Sequence, residues 1–107
     1  MTQSSGLLVV MVDVDPEDED ELNRWYDEEH IAERLGIPGF VRVRRYKAVE
    51  GSPKYLALYE LESPDVVQSE EYQYMKGPGQ TLWTDRIESK YREFIRNVYV
   101  CISDHKK

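Results

Sequence analysis

At 107 residues the chain has room for one domain with a modest core. Its net charge of −7 argues against a nucleic-acid surface, which needs clustered Lys and Arg. No run approaches the ~20 apolar residues of a membrane helix. The single cysteine, Cys101, forbids an internal disulfide and fits a reducing compartment. It lies in an apolar run and is expected to be a buried small hydrophobe. His30 and His105 are far apart and no CxxC pair exists, so neither a metal site nor any other cofactor is expected. Met1 to Gly6 carries no basic residue, a poor secretory leader, and the expected location is the cytoplasm.

Gly6 to Asp13 reads as a first strand, apolar on both faces and so buried on both. Pro16 and the acidic run Glu17 to Glu21 open a helix, with Asp15 as its N-cap. Gly36 and Pro38 end it after Leu35. At α-helical spacing its inward face is Leu22, Trp25, Tyr26, Glu29, Ala32 and Leu35. Phe40 to Ala48 is a second strand, with Val41, Val43 and Arg45 on one face and Arg42, Arg44 and Tyr46 on the other. Glu50 to Pro53 is a turn, and Tyr55 to Leu61 is a third strand pairing with the second as a hairpin. Ser63 and Pro64 start a short helix to about Ser69, and Lys76 to Gly79 breaks the chain. Trp83 to Lys90 reads as another helix, and Phe94 to Ser103 as a last strand, again apolar on both faces.

The order β-α-β-β-α-β predicts a ferredoxin-like α+β domain over residues 1–107: a four-stranded antiparallel sheet with helices on one face. The doubly apolar first and last strands would leave a lone copy with a large exposed apolar face. A second copy packed sheet to sheet covers it, so a homodimer, a dimeric α+β barrel, is expected.

The run Trp25-Tyr26-Asp27-Glu28-Glu29-His30-Ile31, with Pro38-Gly39-Phe40, Arg44-Arg45-Tyr46 and Lys54 to Leu61, resembles the EthD-like members of the dimeric α+β barrel superfamily. The resemblance runs from about Leu7 to Ser103. It implies a pocket in each subunit between sheet and helices. The superfamily includes cofactor-free oxygenases, cyclases, isomerases and haem-degrading enzymes. One departure is visible: Ile31-Ala32 stands where a proline commonly follows the histidine.

The candidate site residues follow from chemistry and from that resemblance. His30 titrates near neutral pH and suits a general base; its structural alternative is a bond to the loop from Gly36 to Gly39. Glu29, in the middle of the apolar stripe, is either a proton-transfer group or the ion-pair partner of Arg42, Arg44 or Arg45. Tyr26 is a supporting group one turn before His30. Eight tyrosines is a high count, and Tyr46, Tyr55 and Tyr59, with Trp25, Arg45 and Trp83, could wall a pocket for a flat aromatic ligand. For each of these tyrosines, packing is the competing role.

The leading expectation is a cofactor-independent enzyme on a small hydrophobic or aromatic metabolite, with His30 as base. The alternatives are a binding or regulatory dimer without turnover, and a haem protein with His30 as axial ligand.

Overall fold

In the computed structural model, which describes residues 4–107, the strands are β1 (Gly6–Asp13), β2 (Phe40–Lys47), β3 (Tyr55–Leu61) and β4 (Glu93–Val100). Met1 to Gln3, part of the segment judged for a secretory leader, lie outside the described residues. All pairings are antiparallel, in the order β2-β3-β1-β4, so the two sequence-terminal strands meet in the sheet. This is the ferredoxin-like arrangement expected from the sequence.

The register decides which side chains face the helices. Leu8 and Val12 of β1, Ala57, Tyr59 and Leu61 of β3, and Phe40 of β2 point to the helical layer and are buried there. The alternating set, including Leu7, Val9 and Met11 of β1 with Leu56 and Leu58 of β3, forms the opposite face. An extra residue between Phe40 and Arg42 bulges β2, which turns Val41 outward and leaves it exposed.

The long helix, α1, is built in four consecutive pieces. A 3-10 turn, Pro16–Asp18, leads into α-helical Glu19–Trp25, then a π-helical turn at Tyr26–His30, then α-helical Ile31–Leu35. Asp15 makes no capping bond; its carboxylate pairs with Arg92 at 2.7 Å. After a 3-10 turn at Pro64–Gln68, α2 (Glu70–Lys76) is a separate helix that the sequence pattern did not reveal. Its cap is Ser69, whose hydroxyl accepts from the Tyr72 amide. The last helix, α3 (Leu82–Glu88), is capped by Thr81, which accepts from the Thr84 amide. β4 ends at Val100, so Cys101 stands past the last rung, its amide donating to Ser5 and its thiol to the Ser103 carbonyl. Its side chain is exposed, not buried as expected.

No helix among the described residues is long and apolar enough to cross a membrane. The core lies between sheet and helices, around Trp25, Tyr59, Leu8, Leu22 and Leu61.

Gly39 sets the entry to β2. Its φ is +97°, and an added Cβ would fall 2.5 Å from Cγ2 of Val66. Gly51 has a similar φ of +96° but open space around it. Gly51→Ala should therefore cost only the backbone term, about 1 kcal/mol. Gly39→Ala adds a steric overlap and should cost about 2–3 kcal/mol. Chemical denaturation of the two variants checks this; equal losses would show that Val66 yields freely.

Candidate active site

The π turn at Tyr26–His30 decides which residues of α1 look inward. Here the Ile31 amide donates to the Tyr26 carbonyl, one residue further back than in an α-helix. The extra residue rotates everything after it by about 100° relative to a regular helix. The buried stripe becomes Leu22, Trp25, Tyr26, His30 and Arg34, while Ala32 and Leu35, expected inward, are exposed.

Glu29 leaves the stripe for the same reason. It is half-buried at the flank, where its Oε2 accepts from Thr81 at 2.7 Å and from Thr84 at 3.4 Å. It pairs with none of the β2 arginines. Arg42 reaches Glu60 at 3.9 Å, Arg44 lies over the Tyr46 ring, and Arg45 lies 4.0 Å over the Tyr26 ring.

His30 takes the place beneath Trp25. The two rings stack at 4.1 Å, with Tyr26 edge-on at 5.3 Å. Nε2 of His30 shares a hydrogen bond of 3.0 Å with the Tyr59 hydroxyl from β3, not with the Gly36–Gly39 loop. Nδ1 is buried and has no partner among the described residues. Trp25 is itself fixed, its Nε1 donating to Thr84 Oγ1 at 3.1 Å.

These residues border a cavity of about 80 Å³ between α1, α2, α3 and the sheet. Trp25, Tyr26, His30 and Arg34 line it from α1, Leu8, Val10 and Tyr59 from the central strands, and Tyr72 and Lys76 from α2. Glu88, Tyr91, Phe94 and Arg96 complete the wall from the last third of the chain. At about 30 Å³ of liquid per water the space is worth about three waters, roughly half of a ~150 Å³ cavity that takes benzene, so an aromatic ring enters only as the bordering side chains move apart. A larger groove of about 560 Å³, bordered by Ala32, Ile37, Glu70 and Tyr74, is open and lies apart from His30.

The electrostatics favour neutral groups at the centre. Burial, with the positive charges of Arg34 and Arg45 nearby, lowers the His30 pKa from 6.5 to about 3. Burial likewise raises Tyr26, and pushes Tyr59 well above the usual phenol value. At neutral pH the centre holds an uncharged imidazole bonded to an un-ionised phenol.

Of the residues singled out in the sequence, Trp25, Tyr26, His30 and Tyr59 meet at this cavity. Arg45 stands behind the Tyr26 ring. Tyr46 is exposed on the opposite face of the sheet, and Tyr55 donates to Glu19 at 2.6 Å. Trp83 donates to Glu21 at 3.2 Å, away from the cavity. Arg34, Tyr72, Tyr91 and Arg96 were not anticipated. Arg34 alone left a trace, standing one turn after His30.

No protein-family model matches the sequence, and no curated protein matches it. Solved structures do match in fold. A dimeric ferredoxin-like protein from an uncultured marine organism is 19% identical, with 99% of this chain and 95% of that one covered and a TM-score of 0.75. A monooxygenase from Streptomyces coelicolor, solved with nanaomycin D, is 12% identical over 97% and 93% of the chains at 0.74. A haem degrader from Mycobacterium tuberculosis, solved with two haems in its active site, is 15% identical over 94% and 99% at 0.66. At such identities the likeness defines the class of fold, the ferredoxin-like α+β domain found in dimers and in monooxygenases, and nothing finer.

The buried imidazole has a consequence for stability. Below pH 6.5 the unfolded chain takes up a proton that the folded state refuses until about pH 3, so stability is lost as pH falls through that window. Between pH 7 and pH 5 the loss through His30 should be about 2 kcal/mol. Urea unfolding at the two pH values should show this excess loss in the wild type over His30→Gln. Equal losses in both would mean that His30 is not held neutral.

Proposed function

We propose that the chain is a small cofactor-independent enzyme that binds an aromatic, phenol-type metabolite in the His30 cavity and acts on it by proton transfer, as an oxygenase, isomerase or cyclase does. The observation that carries this reading is the convergence of an uncharged buried imidazole with the hydroxyls of Tyr26 and Tyr59 in an aromatic-walled space. Aromatic walls suit a flat ring, and a cavity this small widens for one ring far more readily than for a macrocycle.

His30 is the proton acceptor in this proposal. Tyr59 orients the ring through Nε2, and Nδ1, buried without a partner among the described residues, is the atom that takes the proton. The buried imidazole is a weak base in the empty cavity, so taking the proton of a phenol or an enol requires a bound ligand that raises its basicity. Tyr26 stacks edge-on against His30 and limits its rotation. Glu29, held by Thr81 and Thr84, positions α3 against α1 and takes no part in proton transfer. A haem reading fits less well: Nε2 of His30, the atom that would ligate iron, is committed to Tyr59 in the interior, and the cavity is small.

The sequence run around Trp25 to Ile31 supports membership of the EthD-like group, and the single free thiol supports a cytoplasmic setting. The homodimer is part of the same proposal. Leu7, Val9, Met11, Leu56, Leu58 and Ile95 share the face of the sheet that no helix covers. A second copy would bury it. Leu58→Lys should shift the chain from dimer to monomer in analytical ultracentrifugation at micromolar concentration. A dimer that survives this change would place the interface elsewhere.

For the chemistry, a thermal-shift screen of phenols and hydroquinones should find a stabilising ligand. Turnover of that ligand, followed by product formation and oxygen uptake, should fall about 100-fold or more in His30→Ala. Tyr59→Phe should lose activity with a smaller loss in binding. Unchanged turnover in His30→Ala would contradict the assignment.

A further inference from the structure

The chain is strongly acidic overall, yet the cavity wall contains three cationic side chains, Arg34, Lys76 and Arg96, against one carboxylate, Glu88. Glu88 lies exposed at the end of α3 and is engaged by Gln80 at 2.8 Å. Arg34 is only 8% exposed, and among the described residues it makes no ion pair and no side-chain hydrogen bond. Its contact is the Tyr72 ring, 5.5 Å from its guanidinium carbon. Arg96 stands at the same ring, at 5.9 Å, and donates to the Tyr72 hydroxyl at 3.0 Å.

A buried guanidinium without a counter-charge is costly, and a second one beside the same ring adds repulsion. Several cations elsewhere in the chain pair with carboxylates: Arg24 with Glu28, Lys54 with Glu19, Arg86 with Glu21 and Arg92 with Asp15. Neither Arg34 nor Arg96, the two arginines that border the cavity, has a carboxylate partner among the described residues; Arg45, outside the cavity lining, has none either, and its Nε and Nη2 are buried behind the Tyr26 ring. A guest with its own negative charge resolves the conflict, since a carboxylate can accept from both guanidinium groups in bidentate fashion.

We infer that the Arg34–Arg96–Tyr72 corner of the cavity is an anion subsite, and that the ligand is an aromatic acid whose carboxylate sits there while its ring reaches toward His30. This rests on the reading of the cavity as a small-molecule site and narrows its substrate class. It gives the proton acceptor a second benefit. A carboxylate beside Arg34 offsets one of the charges that make His30 a weak base, so binding and basicity are coupled.

Salicylate and salicylamide have nearly the same shape and differ in charge, so calorimetric titration of both into the full chain tests the inference. Salicylate should bind at least about tenfold more tightly, the scale of one charge-assisted hydrogen bond. Arg96→Gln, at a half-buried position, should remove most of that preference while leaving salicylamide affinity within about twofold. Arg34→Met should do the same where circular dichroism shows it folded. Equal binding of the two ligands, or a preference that survives Arg96→Gln, overturns the anion subsite and leaves the cavity reading intact. If neither ligand binds at millimolar concentration, the cavity reading falls and the subsite with it.

Discussion

The site depends on one extra residue in a helical turn. With α-helical spacing throughout α1, Glu29 would lie under Trp25 and Ala32 would follow it inward. The π turn at Tyr26–His30 moves His30 into that place and Arg34 after it. A π turn forfeits regular hydrogen-bond geometry, so it persists only where surrounding contacts over-determine it. Here those contacts are visible. Trp25 is pinned to Thr84 and stacks on His30, His30 is bonded to Tyr59, and Glu29 is bonded to Thr81. Two other elements, β3 and the capped start of α3, thus hold the turn in place.

The packing of α3 belongs to the same system. Thr81 caps α3, while its hydroxyl also donates to Glu29, and Thr84 one turn later receives the Trp25 indole. The helix that closes one side of the cavity is therefore tied to the turn that creates the site. Loosening either should affect both, which makes α1 and α3 one packed unit despite nearly sixty residues between Trp25 and Thr84.

Much of the fold was legible because the strands state their environment plainly. β1 is apolar on both faces, β3 runs over the residues its alternation marks, Gly36 stops α1 and Pro38-Gly39 leads into β2. The site was legible only in part. Trp25, Tyr26, His30 and Tyr59 were found because aromatic and imidazole groups on a helix face attract notice. The face itself was drawn at 3.6 residues per turn, a template in which a π turn has no signature. Arg34 was hidden because arginine on a helix is ordinarily a solvated residue. Tyr72, Tyr91 and Arg96 come from elements whose register against α1 is a tertiary fact. Cys101 was misplaced because apolar neighbours continue past the last rung of β4, where no strand remains to cover them.

Everything proposed about chemistry requires that His30 face the interior as a neutral ring. The most direct measurement is the pH titration of its imidazole proton resonances, assigned by comparison with His30→Gln. The His30 signal should not titrate from pH 8 down to about pH 4.5, in keeping with its lowered pKa of about 3. A His30 resonance that titrates near 6.5, the value of a solvated imidazole, would put the side chain in water and would contradict the π-turn register and the site built on it.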